Sequence, residues 1–446
     1  MDVHTTTYLE NVETTIASGP IKTPLIVDDL NGHMVYAQDC APIRDHHHGQ
    51  RKLLIEEVKA LTEWNPPAGS VVVYAGAAPG DKNAYLASLF PKVRFICVDP
   101  APFNVKRVQG VTIEGIGSIH MGIDGMRDLI MRVYANATQV FTIQDYMTCD
   151  LAEVIADVAA KCGAALYFIS DIRTERRSHT GKSEPTSVDI MWNHSQQYNW
   201  YRILKPTGTM FKFRLPFYNE PAEWIDREIA KSKMILADFD KSLEFGLDFR
   251  AQIATKTFQY PQGTLFVQAW SPKTSAETRL SIMGSDAPIV AYMDMAEYEG
   301  KMFHYNLCTR MFRLADNPNA SRLEGFDNCC DCAIENAMWT DYIKINDGAT
   351  NGVNGDAANT PKTVIDYVKE LSRLLDKGLI RGGHGRFFEQ VPLETARVLV
   401  AGKTNRDKTR DNRNGGYNGK KPHDGKNSHG RRFEDMRKCA VNRGPK

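Results

Sequence analysis

The sequence predicts an α/β protein with a Rossmann-like core, that is, a doubly wound and mostly parallel sheet. Apolar runs of strand length alternate with segments of helical period, as parallel strands joined by helices require. The first run, VVVYAG at 71–76, passes without a break into a glycine-proline turn. A short helical segment, DKNAYLASLF, and a second apolar run, VRFICVD, follow it. Strand, helix and strand in that order make a βαβ unit with a right-handed crossover.

Taken along the chain, QRKLLIEEVKALTEW places Leu53, Leu54, Val58, Leu61 and Trp64 on one helical face, and Asn-Pro-Pro-Ala-Gly stops it. AALYFIS, GTMFKFRL and GTLFVQAW read as further strands, with a helix over SVDIMWNHSQQYNWYRIL. KTVIDYVKELSRLLDKG reads as a later helix and NDGATNGVNGDAANTP as a polar loop. These elements imply an N-terminal extension over 1–48 and a Rossmann-like core over 49–290. A helical part over 291–398, with helices packed on the core, and a disordered basic tail over 399–446 complete the chain.

Composition is that of an ordinary soluble protein, with 42% hydrophobic and 24% charged residues among 446. There is no run of about 18 apolar residues, and the start lacks a basic segment followed by an apolar one, so neither a membrane span nor a signal peptide is expected. The net charge of +1 hides an asymmetry: from Ala401 onward there are 14 Lys and Arg against 5 Asp and Glu, leaving 41 basic and 49 acidic residues before it. Such a tail buries too little apolar surface to fold alone; it solubilises the chain or binds phosphates by counterion release. Cys329, Cys330 and Cys332 cluster in FDNCCDCAIE without a second Cys or His group at zinc-like spacing. They read as buried or surface thiols of a reducing compartment, and no metal is expected.

In an open α/β sheet, ligands sit outside the carboxyl ends of the strands. The turn Gly76-Ala77-Ala78-Pro79-Gly80 stands there, but only its first and fifth residues are Gly, which fits a dinucleotide poorly and S-adenosylmethionine better. Asp99 ends the next strand, where a carboxylate can accept the two hydroxyls of an adenosine ribose, or simply cap a helix. Asp171 ends another apolar strand at the same edge, and the loop after it carries Arg173, Arg176, Arg177 and Lys182, a track for a polyanion such as RNA. Lys212 lies within an apolar strand, where a lysine either snorkels to water or serves chemistry.

Several stretches occur in one order: GQRKLL, VVVYAGAAPG, ISDIR with SEPTSVD, FKFRLPF, TSAETRL and YEGKMFHYN. In that order they resemble the poxvirus cap-specific mRNA (nucleoside-2'-O-)-methyltransferase, which is also the small, processivity subunit of the viral poly(A) polymerase. The resemblance runs from about 49 to 310 and implies a catalytic set of Lys52, Asp171, Lys212 and Glu277. It implies S-adenosylmethionine contacts at Gln50, Tyr74, Gly76, Gly80 and Asp99, and a 7-methylguanine pocket built from Phe217, Glu299 and, by a poorer alignment, Tyr36. A ribose 2'-hydroxyl must lose its proton as it attacks a methyl group, and a lysine accepts that proton only when its own pKa is lowered. Lys212 is the expected base, with Lys52 supplying repulsion and the two carboxylates orienting the amines.

The expected activity is therefore methyl transfer to the first transcribed nucleotide of m7G-capped mRNA, with a poly(A) polymerase catalytic subunit as a candidate partner. The alternatives are a non-catalytic RNA-binding subunit of such a polymerase, or methylation of another RNA or cap nucleotide. Kinship implies cytoplasmic work in a large DNA virus, or a nuclear site for a cellular relative. Two departures stand out: the segment between Lys212 and Glu277 is long, and Pro-Ala-Pro follows Asp99 where the poxvirus pattern carries an arginine.

Overall fold

The computed structural model describes Asn11 and residues 26–34, 49–117, 122–135, 138–174, 185–217, 220–255, 257–272, 275–310, 313, 315–350 and 361–375. The expected basic tail lies outside these residues.

Among the described residues there are ten strands: β1 (Val71–Ala75), β2 (Arg94–Val98), β3 (Ile113–Ile116), β4 (Val140–Ile143), β5 (Leu166–Ser170), β6 (Gly208–Phe213), β7 (Thr257–Pro261), β8 (Thr264–Phe266), β9 (Thr278–Met283) and β10 (Ile289–Asp294). Eight of them form one sheet in the order β3-β4-β2-β1-β5-β6-β9-β8. The first six run parallel, while β9 is antiparallel to both β6 and β8. This is a Rossmann-like α/β core, doubly wound about β1. Every residue of β1, β4 and β5 is buried, so these strands read as unbroken apolar runs. The other two strands, β7 and β10, pair antiparallel in a separate ribbon.

The helices of the core are α1 (Gly49–Trp64), α2 (Asn83–Leu89), α3 (Ile123–Ala135), α4 (Cys149–Lys161) and α5 (Ser187–Leu204). α1 stops where expected, because Asn65 turns left-handed with φ +44°. α5 matches the expected helix residue for residue. Thr186 caps it by accepting from Asp189 N at 3.2 Å, and the Asp189 carboxylate accepts from Thr186 N at 3.0 Å. α5 is buried on nearly every side, because a second layer covers it: α6 (Ala222–Ala230), α7 (Lys233–Glu244) and α8 (Phe249–Thr255). These helices are the long segment between Lys212 and Glu277. Trp192 Nε1 donates to Asp238 at 2.6 Å and Tyr198 to the Phe245 carbonyl at 2.7 Å, fixing that layer to α5.

Three further helices follow, α9 (Met295–His304) with a π-turn over Tyr305–Thr309, α10 (Cys330–Thr350) and α11 (Val364–Leu374). They meet the core at a buried ion pair. Arg51 of α1 donates to Glu335 of α10 at 2.8 and 2.5 Å, Trp270 Nε1 reaches the same carboxylate at 3.0 Å, and Arg51 also donates to Ser372 of α11 at 3.1 Å. Breaking such a pair by removing one partner typically costs about 3–5 kcal/mol. Among the described residues, no helix is long and apolar enough to cross a membrane.

Two expectations need correction. The polar segment beginning at Asn346 starts as the last turns of α10, which runs to Thr350; Asn346 Nδ2 donates to the Tyr342 carbonyl at 3.0 Å, turning a loop-forming side chain back onto its own helix. GTLFVQAW yields only the three-residue β8, because Trp270 is left-handed at φ +56° and its N–H turns away to the Asp331 carboxylate at 3.0 Å.

Candidate active site

The turn after β1 lies against the carboxyl end of β5. Gly76 has φ +81°, and a Cβ there would come within 2.7 Å of the Asp171 carbonyl carbon. Only glycine lets the two backbones meet this closely. The Ala78–Pro79 peptide is cis, and Gly80 closes the turn at φ +75°. Beside the turn, Asp99 follows β2 and is half-buried. Its carboxylate accepts from Ala78 N at 3.2 Å and from Ala101 N at 2.7 Å, which fixes its orientation at the strand edge.

On the other side of Asp171 the expected quartet converges. Lys52 of α1 donates to Glu277 at 2.7 Å. Lys212 of β6 stands 3.3 Å from Asp171 and 3.3 Å from the second oxygen of Glu277. A fifth residue, which the sequence did not single out, completes the group. Arg279 pairs across the ladder with Lys212 and donates to Asp171 at 2.7 Å, while standing 3.4 Å from Glu277. Glu277 and Arg279 are two residues apart, so the pleat sends both to one face. That spacing, E-x-R at a strand start, was the available signal. Gln268 bridges the pair when its amide is oriented by its partners, donating to Glu277 at 3.0 Å and accepting from Arg279 at 2.8 Å.

Three cations thus face two carboxylates in a largely buried space. Burial would raise Asp171 and Glu277, but Lys212 heads the cations that outweigh it; Asp171 lies below its ordinary value and Glu277 well below. Burial lowers the Lys52 ammonium first, Arg279 and Lys212 lower it further, and Glu277 opposes them without restoring the ordinary value. Losing the Lys52 proton would bring the group of five to neutrality, so net charge and burial act on that ammonium in the same direction.

Of the expected cofactor residues, Gly76, Gly80 and Asp99 border the turn, and Gln50 lies half-buried in the first turn of α1. Tyr74 is different. Its side chain is fully buried and its hydroxyl donates to Glu57 of α1 at 2.5 Å, where Lys82 also pairs with that carboxylate. The phenol is committed to α1, so Tyr74 fixes the helix that carries Lys52. The remaining donor set suits a nucleoside: a carboxylate at the end of β2 answers a vicinal diol, beside a turn with small side chains.

Phe217 and Glu299 are brought together by Arg214. Its guanidinium stands 4.3 Å from the Phe217 ring centroid, and Glu299 of α9 counters the burial that lowers the Arg214 pKa. Burial likewise raises Glu299, opposed by Arg214. Arg173 is exposed and close enough to depress Arg214 slightly further. Tyr36, Arg176, Arg177 and Lys182 lie outside the described residues.

With this geometry in place, comparison with known proteins is informative. A family model for the poly A polymerase regulatory subunit matches residues 121–245. The cap-specific mRNA (nucleoside-2'-O-)-methyltransferase of Myxoma virus (strain Lausanne) is 26% identical over 293 residues, covering 64% of this chain and 68% of its own. Its counterpart in Fowlpox virus (strain NVSL) is 26% identical over 270 residues, covering 58% and 66%. The chain is similar to the poxvirus cap-specific mRNA 2'-O-methyltransferases. The family-model match contains Asp171 and Lys212 but neither Lys52 nor Glu277, which join the cluster from α1 and the start of β9.

Beneath this poxvirus-like site, His194 of α5 packs among Phe213, Phe258 and Tyr260, with a ring nitrogen 2.8 Å from the Arg214 carbonyl. Burial lowers its pKa from 6.5 to about 4. The folded state therefore holds His194 neutral where the unfolded chain protonates it. That contribution is full above pH 6.5 and is lost as pH falls toward 4, roughly 3 kcal/mol in all. Urea unfolding of the parent is expected to weaken over this window. His194→Phe is expected to flatten the slope between pH 6.5 and 4.5, whatever its effect at neutral pH.

Proposed function

We propose that this protein methylates the ribose 2'-hydroxyl of the first transcribed nucleotide of m7G-capped RNA, with S-adenosylmethionine as donor. The observation that carries the reading is the meeting of Lys52, Lys212, Asp171, Glu277 and Arg279 directly against the Gly76 turn. The donor supplies an electrophilic methyl group on a sulfonium. Asp99 would accept its ribose hydroxyls, and Gly76 and Gly80 would let it lie against the backbone, with Gln50 beside them.

Lys212 is the base in this reading. Lys52 is held by a 2.7 Å bond and its side chain is 9% exposed, whereas Lys212 makes two longer contacts and is 19% exposed. The amine that a substrate hydroxyl can reach is therefore Lys212. Asp171 and Glu277 aim it, with Lys52 and Arg279 held on the same carboxylates. General-base assistance is worth about 10²- to 10⁴-fold.

The cap reading rests on Phe217, whose ring already carries a guanidinium on its face. A ring so placed attracts a cationic 7-methylguanine more strongly than neutral guanine, and Glu299, which acts on the same Arg214, is proposed to read the base edge. Tyr36 is proposed as the second ring, and Arg173, Arg176, Arg177 and Lys182 as the path of the RNA backbone. The match to the poly A polymerase regulatory subunit model supports a second role as an RNA-binding polymerase subunit, which would need none of the lysine chemistry.

Labelled donor and short RNAs with or without the 7-methyl cap separate these roles. Methyl transfer to the capped RNA is expected, falling about 10²- to 10⁴-fold in Lys212→Ala with donor and RNA binding kept. Near-parental transfer by that variant removes Lys212 as base, and no transfer by the parent leaves only the binding role. In a fluorescence titration, Phe217→Ala is expected to weaken m7GTP by about tenfold and GTP little; equal m7GTP affinity in the two proteins removes Phe217 from the pocket.

A further inference from the structure

Far along the chain from the lysine cluster, the loop before α10 carries D-N-C-C-D-C at 327–332. Asp327, Cys329 and Cys332 each offer one ligand atom, and the three atoms lie within 4.8 Å of one another. Asp327 accepts from Cys329 N at 2.9 Å, and Cys329 Sγ accepts from Cys332 N at 3.4 Å, so the loop is wound around both groups. We propose that Asp327, Cys329 and Cys332 hold one thiophilic divalent cation of the zinc class, with water or the Gly325 carbonyl oxygen in the fourth position.

The chemistry of the set selects that class. Two sulfurs and one oxygen suit a tetrahedral zinc ion, whose bond lengths place ligand atoms about 3.4–3.8 Å apart. The Gly325 carbonyl oxygen is already 3.5 Å from Cys332 Sγ. Neighbouring groups are otherwise engaged: Cys330 faces the Tyr305 hydroxyl at 3.5 Å, and Asp331 is paired with Arg310 at 2.8 Å. Sequence spacing hid the site because the partner of the Cys-x-x-Cys pair is a carboxylate two residues before it, rather than a distant second pair.

Binding forms two metal–sulfur bonds and one metal–oxygen bond, releases the two thiol protons to solvent, and oxidises nothing. The ion would clip the loop before α10 to the start of that helix, whose Glu335 holds Arg51 next to Lys52. A disulfide between Cys329 and Cys332 is the competing chemistry.

The test uses the full chain and does not depend on methyl transfer. Protein purified without chelator and assayed by elemental mass spectrometry is expected to carry about one zinc per chain, kept in Cys330→Ser and lost in Cys329→Ser/Cys332→Ser. A second measurement needs no variant. Parent protein stripped with chelator and titrated with cobalt(II) is expected to develop thiolate charge-transfer absorption that saturates near about one equivalent, releasing about two protons per ion. Absence of bound metal in both measurements overturns the proposal, as does zinc retained by a folded double variant or a Cys329–Cys332 disulfide in protein alkylated at lysis.

Discussion

Three cations, Lys52, Lys212 and Arg279, meet two carboxylates, Asp171 and Glu277, in a space that water scarcely reaches, and much of the chain is arranged to make that meeting possible. Each carboxylate is shared, so no cation has an anion to itself. In bulk water such sharing would matter little, but at low effective dielectric a surplus charge is costly. Burial and that surplus together push the Lys52 ammonium downward. In the proposed reading one lysine of the pair serves as the base, a role an arginine at 52 or 212 could not fill, because a guanidinium cannot surrender its proton at any ordinary pH.

The scaffold bears on this meeting from three directions. Gly76 lets the β1 turn touch the backbone of Asp171, so a ligand at the turn is adjacent to the cluster by construction. The antiparallel β6–β9 pairing sets Lys212 opposite Arg279, a pairing that a continued parallel sheet would not give. α1 delivers Lys52 and is held from both sides, through Tyr74 and Lys82 on Glu57 and through Arg51 on Glu335. The C-terminal helices therefore do more than cover the core. They fix the neighbour of a cluster lysine.

Much of this was legible in the sequence, for identifiable reasons. β1, β5 and α5 were clear because central parallel strands are continuous apolar runs and because α5 carries its own capping box. The short strands β3 and β9 were not singled out and β8 was drawn too long, since three to six residues carry little periodicity; the 13-residue helices α3 and α4 were passed over as well. Arg279 was missed because its partner is cross-strand, and register is a tertiary property. The direction of the Tyr74 ring was hidden for the same reason: its neighbours in sequence mark a ligand turn, but the pleat sends the ring into α1. The closeness of Asp327 to Cys329 and Cys332 was not legible, because a carboxylate two positions away is not part of a zinc-finger spacing.

The measurement closest to the central claim is the pH dependence of single-turnover methyl transfer to capped RNA. If the cation surplus keeps one lysine of the pair uncharged, the rate should rise and level off with an apparent pKa clearly below the ordinary lysine value of about 10.4, a property of the pair rather than of one residue. A rate that keeps climbing through that value, with the protein still folded, would show that both ammonium groups stay charged and that the cluster does not generate the base.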